Sequence, residues 1–275
     1  MNIHLGANYI MTMKKLLLLS TIVVCAAQTN VWAQALPFID SLMVNFNVGQ
    51  CCDNTALDQC ANRKPQCTIA PRLISFVLWI DSTKRVANDK IAEGLRDRYA
   101  SLTDAKRFAI DTAGWPATGD PKSPLTLAVY FSGTCPTCKM TYRDLYYAVT
   151  SGKLKGKALL VAKPFSANPV NNALIAAHGM GKFNDFMLDL AKRNTRIDEN
   201  LMLSIAKEMN IDSAKFKAAM ENPALVKRVE LANKEAVKNA VTHVPTFFIS
   251  GQRYNSVLDG RWIIDAVEYV HETKR

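Results

Sequence analysis

Cys135 and Cys138 stand three positions apart in "FSGTCPTCKM" (131–140), directly after the apolar run Leu125–Phe131. Sulfurs at this spacing can staple a fold, supply half of a metal site, or react. Zinc takes four ligands, usually as two such pairs, and the other cysteines lie 68 or more positions upstream with no C-x-x-C of their own. Reaction is favoured where the first sulfur sits at the mouth of a helix. First-turn N–H groups lack partners within the helix, and the helix dipole places partial positive charge there. Both stabilise a thiolate, the form that attacks disulfides. Pro136 just inside such a helix forfeits no hydrogen bond and fixes the turn. Cys138 is then close enough to close a disulfide and expel a bound partner.

The surrounding pattern predicts elements that place these sulfurs. Leu125–Phe131 is apolar and β-favouring, as a buried strand would be. Cys138–Val149 reads as a helix and Lys157–Phe165 as a second strand. Residues 168–240 are helical in pattern, with Phe183, Phe186, Met187 and Leu190 on one face. "THVPTFFISG" (242–251) ends that block with a short apolar strand, and Trp262–His271 is a last amphipathic helix. The order is β-α-β, a helical block, then β-β-α. Upstream, Pro71 can open a helix as its first residue, and Ile91, Leu95 and Tyr99 share a face over 85–101. "GWPATGDPKSP" (114–124) is dense in Gly, Pro and polar residues and is expected to be the domain boundary. That divides the chain into a cysteine-rich, mostly helical region (36–120) and an α/β domain (121–275).

A strand, a C-x-x-C opening a helix and a distant X-Pro before a β-favouring run form the thioredoxin-like pattern. Residues 125–272 resemble the DsbA-like thiol-disulfide oxidoreductases of the bacterial periplasm. "FSGTCPTC" is similar to their active-site turn and "HVPTFFISG" to their cis-proline segment, while "GKFNDFMLDLAKRN" (181–194) falls where they insert helices. The resemblance implies that Cys135 is the exposed nucleophile and Cys138 the buried resolving thiol. It also implies a cis Pro245 facing the sulfurs, with the Val244 backbone turned out to pair with an extended substrate. No organic or metal cofactor is implied.

Three positions depart from the family pattern. Thr137 replaces the histidine of the strongly oxidising member, so a less oxidising protein is expected. Val129 stands where relatives carry a buried acid, so a proton acceptor for Cys138 must come from water or from a residue near Lys163. His243, two before Pro245, replaces a small residue; over Cys135 its imidazolium would lower the thiol pKa further, and otherwise it is a solvated loop histidine.

Cys51, Cys52, Cys60 and Cys67 crowd "CCDNTALDQCANRKPQC" (51–67). Excluding a bond between adjacent residues leaves 51–60 with 52–67, or 51–67 with 52–60. The four can staple a region whose core is thin, or one pair can pass electrons to or from Cys135 and Cys138, or they can bind metal. From Cys60 through "LRDRYASL" (95–102) the segment also resembles, faintly, the cysteine-bearing helical domain of cytochrome c maturation thiol proteins; the cysteine spacing differs. Reduction of apocytochrome thiols is the task that resemblance implies.

Residues 1–35 read as a signal peptide: Lys14 and Lys15, an apolar Leu16–Ala27, and the cleavage pattern Ala33-Gln34-Ala35. Met11 or Met13 is an alternative start. Val24 before Cys25 is bulkier than a lipidation signal wants, so the expected product is soluble and exported. Removal of Cys25 leaves six of seven cysteines, an even count that suits an oxidising compartment. The chain carries 34 Lys and Arg against 24 Asp and Glu. These basic residues alternate with acids along helical segments and form no run interleaved with aromatics, which argues against nucleic acid. The expected function is thiol-disulfide exchange with exported, periplasmic proteins, with a membrane protein as redox partner and the direction open. A thioredoxin-like module that binds peptide or metal without turnover is the alternative.

Overall fold

The computed structural model describes residues 38–63, 67–84 and 86–273. The leader and its cleavage pattern lie outside the described residues. Among the described residues no helix is long and apolar enough to cross a membrane.

The chain divides into two compact units between Glu93 and Gly94. The first begins with a helix over 38–45 (α1) and a two-stranded antiparallel ribbon, β1 (Asn47–Val48) and β2 (Thr55–Ala56). Two helices follow, α2 (Leu57–Ala61) and α3 (Ile69–Lys84). Its core is small: Val48, Leu57, Ile69, Leu73, Phe76 and Val77 are fully buried, together with Cys52 and Cys60. Pro71 is the third residue of α3 rather than its first. The displacement is harmless, because the opening N–H groups of a helix are all without intrahelical partners.

The division falls inside α4 (Asn88–Thr103), earlier than the Gly- and Pro-rich stretch suggested. That stretch supplies β3 (Ala117–Thr118), an edge strand of the main sheet. The residues before it also pack on the sheet: Phe108 meets Phe248 edge-on with ring centroids 5.4 Å apart. Arg98 of α4, fully buried, donates to the Trp262 carbonyl at 2.7 Å and pairs with Asp265. Turn residues at 114–124 shape an edge of the second unit and do not separate two units.

The second unit is α/β. Its five-stranded sheet has the order β3-β5-β4-β6-β7. β4 (Leu125–Phe131) and β5 (Ala158–Pro164) are parallel, and the other pairings are antiparallel. Both central strands are apolar and nearly all buried, as expected of parallel strands covered on two faces. α5 (Pro136–Thr150) connects them. Five helices are inserted between β5 and β6: α6 (Pro169–Gly179), α7 (Phe183–Lys192), α8 (Glu199–Glu208), α9 (Ser213–Met220) and α10 (Pro223–Lys238). Side chains of Asn168, Asp198, Asp212 and Asn222 cap α6, α8, α9 and α10, which explains where this block breaks. β6 (Thr246–Ile249), β7 (Gln252–Tyr254) and α11 (Gly260–Thr273) complete the unit. This is the thioredoxin-like α/β fold with a helical insertion.

Ser250 and Gly251 both have positive φ (47° and 82°), which makes the two-residue turn that joins β6 to β7. A Cβ on Gly251 would stand 2.6 Å from the Phe108 carbonyl oxygen. Gly251→Ala is therefore expected to destabilise the second unit by about 2–4 kcal/mol, from left-handed backbone strain and backbone overlap together. Urea unfolding followed by tryptophan fluorescence measures it, and an unchanged midpoint would show that Phe108 does not lie on the turn.

Candidate active site

β4 delivers the chain to a four-residue turn, 132–135, and α5 starts at Pro136 with Cys135 as its N-cap. The turn is held from two sides. Cys135 N–H donates to Ser132 O at 3.0 Å, and Gly133 N–H donates to the buried Asn171 Oδ1 of α6 at 2.9 Å. A Cβ on Gly133 would meet Val170 Cγ1 and Leu174 Cδ1 at 2.7 Å, so only glycine lets α6 approach this closely. Asn171 is in turn fixed by Ser166 O, 2.7 Å from its Nδ2. Gly133 and Asn171 position the helix mouth, although nothing in the local motif marked Asn171.

Cys135 is half-buried and Cys138 buried, and neither is in a disulfide. Cys135 Sγ accepts the Cys138 N–H at 3.2 Å. The Cys135 thiol pKa is pulled from its ordinary 9.0 down to about 6, chiefly by the hydrogen bond from the Cys138 side chain. Partial burial opposes that, and the backbone N–H groups of Cys138 and Thr137 and the Lys139 ammonium reinforce it. At pH 7 such a thiol is about 90% thiolate. The hydrogen bond with Cys135 and burial push the Cys138 thiol the opposite way, and the Cys135 charge adds to the rise. One sulfur is favoured as a thiolate while its neighbour holds a proton.

Pro245 is buried and its bond to Val244 is cis. Cys135 Sγ lies 3.8 Å from the Val244 carbonyl oxygen, which joins residues 109 positions apart. Thr246 Oγ1 donates to His243 O at 2.7 Å and braces the loop. His243 itself is exposed, with Nδ1 3.3 Å from Thr242 Oγ1. The largest influences on the Cys135 thiol come from α5, and Lys139 supplies the cationic contribution anticipated from His243. Lys139, which the sequence did not single out, is only 7% exposed, and its Nζ donates to Arg193 O at 3.3 Å.

Lys163 does not serve Cys138. It pairs in register with Tyr130, and Phe131, the next residue of β4, packs edge-on against Phe183 of α7, which also meets Tyr142 of α5. Alternation along the strand sends Tyr130 and Lys163 to the other face. There the fully buried Lys163 donates to Glu235 Oε2 of α10 at 2.7 Å. Glu235 Oε1 accepts from Tyr130 Oη at 2.6 Å and from Asp111 N–H at 3.1 Å. Burial pushes the Tyr130 phenol up, and its bond to Glu235 adds to the rise. Glu235 lies next to Ala236, which with Val229 and Ala232 makes up the buried residues of α10.

The amino-terminal cysteines form Cys51–Cys67 and Cys52–Cys60 disulfides, one of the two pairings open from the sequence. The sulfurs of Cys51, Cys52 and Cys67 lie within 4.8 Å of one another. Held in disulfides they are not thiolates, the form that ligates metal.

A depressed thiol pKa stabilises the reduced fold with a definite pH dependence. The contribution is fully present above the ordinary value of 9.0 and is lost as pH falls through about 6. Thiolate absorbance of the reduced protein is expected to titrate near 6 and to vanish in Cys135→Ser. Lys139→Met is expected to raise that midpoint while keeping it below 9. The melting temperature of the reduced wild type relative to Cys135→Ser should fall between pH 9 and pH 6, and a pH-independent difference would contradict the assignment.

A family model described as thioredoxin matches residues 111–265, more than half of the chain. Similar solved structures include a thioredoxin-like oxidoreductase from Silicibacter pomeroyi, with TM-score 0.51 and 21% identity, covering 63% of this chain and 97% of that one. BdbD from Bacillus subtilis gives 0.51 and 18%, covering 62% and 100%. The thiol-disulfide exchange protein α-DsbA2 from Wolbachia pipientis gives 0.50 and 15%, covering 73% and 98%. At these identities the likeness is one of fold. A curated relative, the Na(+)/H(+) antiporter NhaA of Herminiimonas arsenicoxydans, is 28% identical over 93 residues; the match takes in 34% of this chain and spans only 15% of that protein's length. The chain belongs to the thioredoxin family and has the fold of its DsbA-like members.

Proposed function

We propose that the chain is an exported thiol-disulfide oxidoreductase in which Cys135 is the nucleophile and Cys138 the resolving thiol. The observation that carries this reading is the Cys135 sulfur, held at the mouth of α5 by an N–H at 3.2 Å with its pKa drawn to about 6. In the reducing direction the Cys135 thiolate attacks one sulfur of a substrate disulfide, and the other leaves as a thiolate. The new mixed disulfide cancels the charge on Cys135. Two of the causes that hold the Cys138 proton, the bond to the Cys135 sulfur and its negative charge, then disappear. Cys138 releases its proton to the departing substrate thiolate and attacks Cys135 Sγ; the second substrate sulfur leaves as a thiolate that takes a proton from solvent, and a Cys135–Cys138 disulfide remains. The reverse sequence donates a disulfide. The bond that opposes reaction in the resting state is thus removed by the first step.

An extended substrate segment is received at the half-buried Val244, whose carbonyl is 3.8 Å from the attacking sulfur. Next to the helix mouth, Pro136, Thr137, Met140, Thr141 and Leu258, together with Asp144 and Asp259, line an open cavity of about 330 Å³ that can take a substrate side chain. Substrates are exported protein thiols or disulfides, with a membrane redox partner resetting the pair. A nucleophile near 6 lies between the ~3.5 of a strong oxidant and the ~7 of a strong reductant. The reduction potential expected is intermediate, between about −120 and −270 mV.

Insulin reduction and refolding of reduced ribonuclease test the reading together. Wild type is expected to be active in at least one, Cys135→Ser in neither, and Cys138→Ser to accumulate a mixed disulfide with substrate. Identical behaviour of wild type and Cys135→Ser in both would leave a peptide-binding module without turnover.

A further inference from the structure

The four amino-terminal cysteines occupy two unlike environments. Cys52 and Cys60 are both fully buried. They tie the turn before β2 to α2, among Val48, Leu57, Ile69 and Leu73, the side chains that make up this unit's core. Cys51 is exposed, and its partner Cys67 is buried. Cys51 also has φ of 53°, a left-handed conformation that a residue with a Cβ adopts at a cost. Asp53 and Asn54 are also at positive φ (49° and 60°), so Cys51 is an exposed residue on a sharp turn at residues 50–54. Thiol-disulfide exchange needs a thiolate to reach a disulfide sulfur along the S–S axis, so access decides which bond exchanges.

We propose that Cys51–Cys67 is a second exchange site, which accepts two electrons from a protein dithiol, while Cys52–Cys60 is structural. The thiolate of the donor dithiol attacks the exposed Cys51 sulfur, the 51–67 bond breaks, and Cys67 leaves as a thiolate. The donor's second thiol loses its proton to Cys67 and attacks the donor sulfur in the mixed disulfide, which releases Cys51 as a thiolate that takes a proton from solvent. The donor ends as a disulfide and Cys51 and Cys67 as thiols. Cys67 is the buried leaving group. The 52–60 bond is closed to a protein-sized donor by the side chains around it, and its loss would take away much of a small core.

The donor is a C-x-x-C protein, either a separate one or another copy of this chain through Cys135 and Cys138. Reduced thioredoxin is used as the probe on the oxidised full-length mature chain carrying Cys135→Ser and Cys138→Ser, so the outcome does not depend on the proposed function of that pair. After timed alkylation, peptide mass analysis reads each disulfide separately. Reduction of 51–67 at least about tenfold faster than 52–60 is expected. Equal rates, faster loss of 52–60, or resistance of both bonds while an insulin disulfide is reduced would each overturn the proposal. A second arm replaces thioredoxin with reduced wild-type chain: reduction of 51–67 there identifies a copy of this chain as a competent donor, and its failure with success in the first arm assigns the site to a separate donor. Cys51→Ala with Cys67→Ala is expected to keep the native circular dichroism and cooperative melting, whereas Cys52→Ala with Cys60→Ala loses them; collapse of the first double variant alone would make the exposed bond the structural one.

Discussion

A single hydrogen-bond arrangement governs the candidate site: the sulfur of an N-cap residue accepting an N–H from the first turn of its own helix. The bond holds only if α5 begins at Pro136 and the chain enters it at a fixed angle. Pro136 sets φ without losing a donor. The Ser132 carbonyl and Asn171 side chain set the angle from outside the helix. Burial alone would raise the Cys135 pKa, since a thiolate loses hydration in a half-closed site. The hydrogen bond from the Cys138 thiol, reinforced by the backbone donors and Lys139, outweighs that, and the sulfur remains accessible. A thiol buried more deeply would gain shielding at the expense of reach, as Cys138 shows.

Below this mouth, the sheet supplies rigidity through a polar connection inside an otherwise apolar layer. Lys163 and Glu235 are an ion pair at 2.7 Å with the lysine fully buried. Such a pair gains little net stability against a well-packed apolar alternative, because two charges lose their water. Breaking it by removing one partner is costly, for the other charge is then stranded. Tyr130, Asp111 and the ring of Trp115, 5.2 Å from Lys163 Nζ, satisfy the remaining capacity. The network therefore fixes which face of α10 meets β4 and β5. That orientation is relevant to the site because α10 leads directly into the loop that carries Val244 and Pro245.

Elements whose pattern is local and strong were legible before any coordinates. Leu125–Phe131 is a strand because a run that is apolar except for Thr126 has a helix-opening motif behind it, and the bounds agree residue for residue. The helical pattern over 168–240 was legible as a block, while its breaks at Asn168, Asp198, Asp212 and Asn222 come from caps that the structure reveals. β3 was invisible, since two residues between Pro116 and Gly119 carry no periodicity and depend on β5 to be a strand at all. The unit division was misplaced for the same reason: turn residues report a change of direction, and only the packing of Phe108 on Phe248 reveals which body the turn belongs to. Lys139 and Glu235 were missed because a charge on an amphipathic helix is ordinarily solvated, and only tertiary neighbours show otherwise. The pairing of Cys51, Cys52, Cys60 and Cys67 could not be read from spacing, which both candidate connectivities satisfy.

Access and thiolate stability, taken together, set apart Cys135, Cys138, the buried Cys52 and Cys60, and the exposed Cys51. Cys135 has both, and Cys138 has neither until its neighbour is consumed. The Cys135 hydrogen bond and charge hold the Cys138 proton, so the proposed mixed disulfide would lift that hold. Cys52 and Cys60 have no access and hold a core together. Cys51 has access without a helix mouth to stabilise its thiolate, which suits an acceptor of attack better than an attacker. Each assignment follows from where the backbone places a sulfur relative to solvent and to unpaired N–H groups. The same element is therefore nucleophile, staple or acceptor according to the turn that carries it.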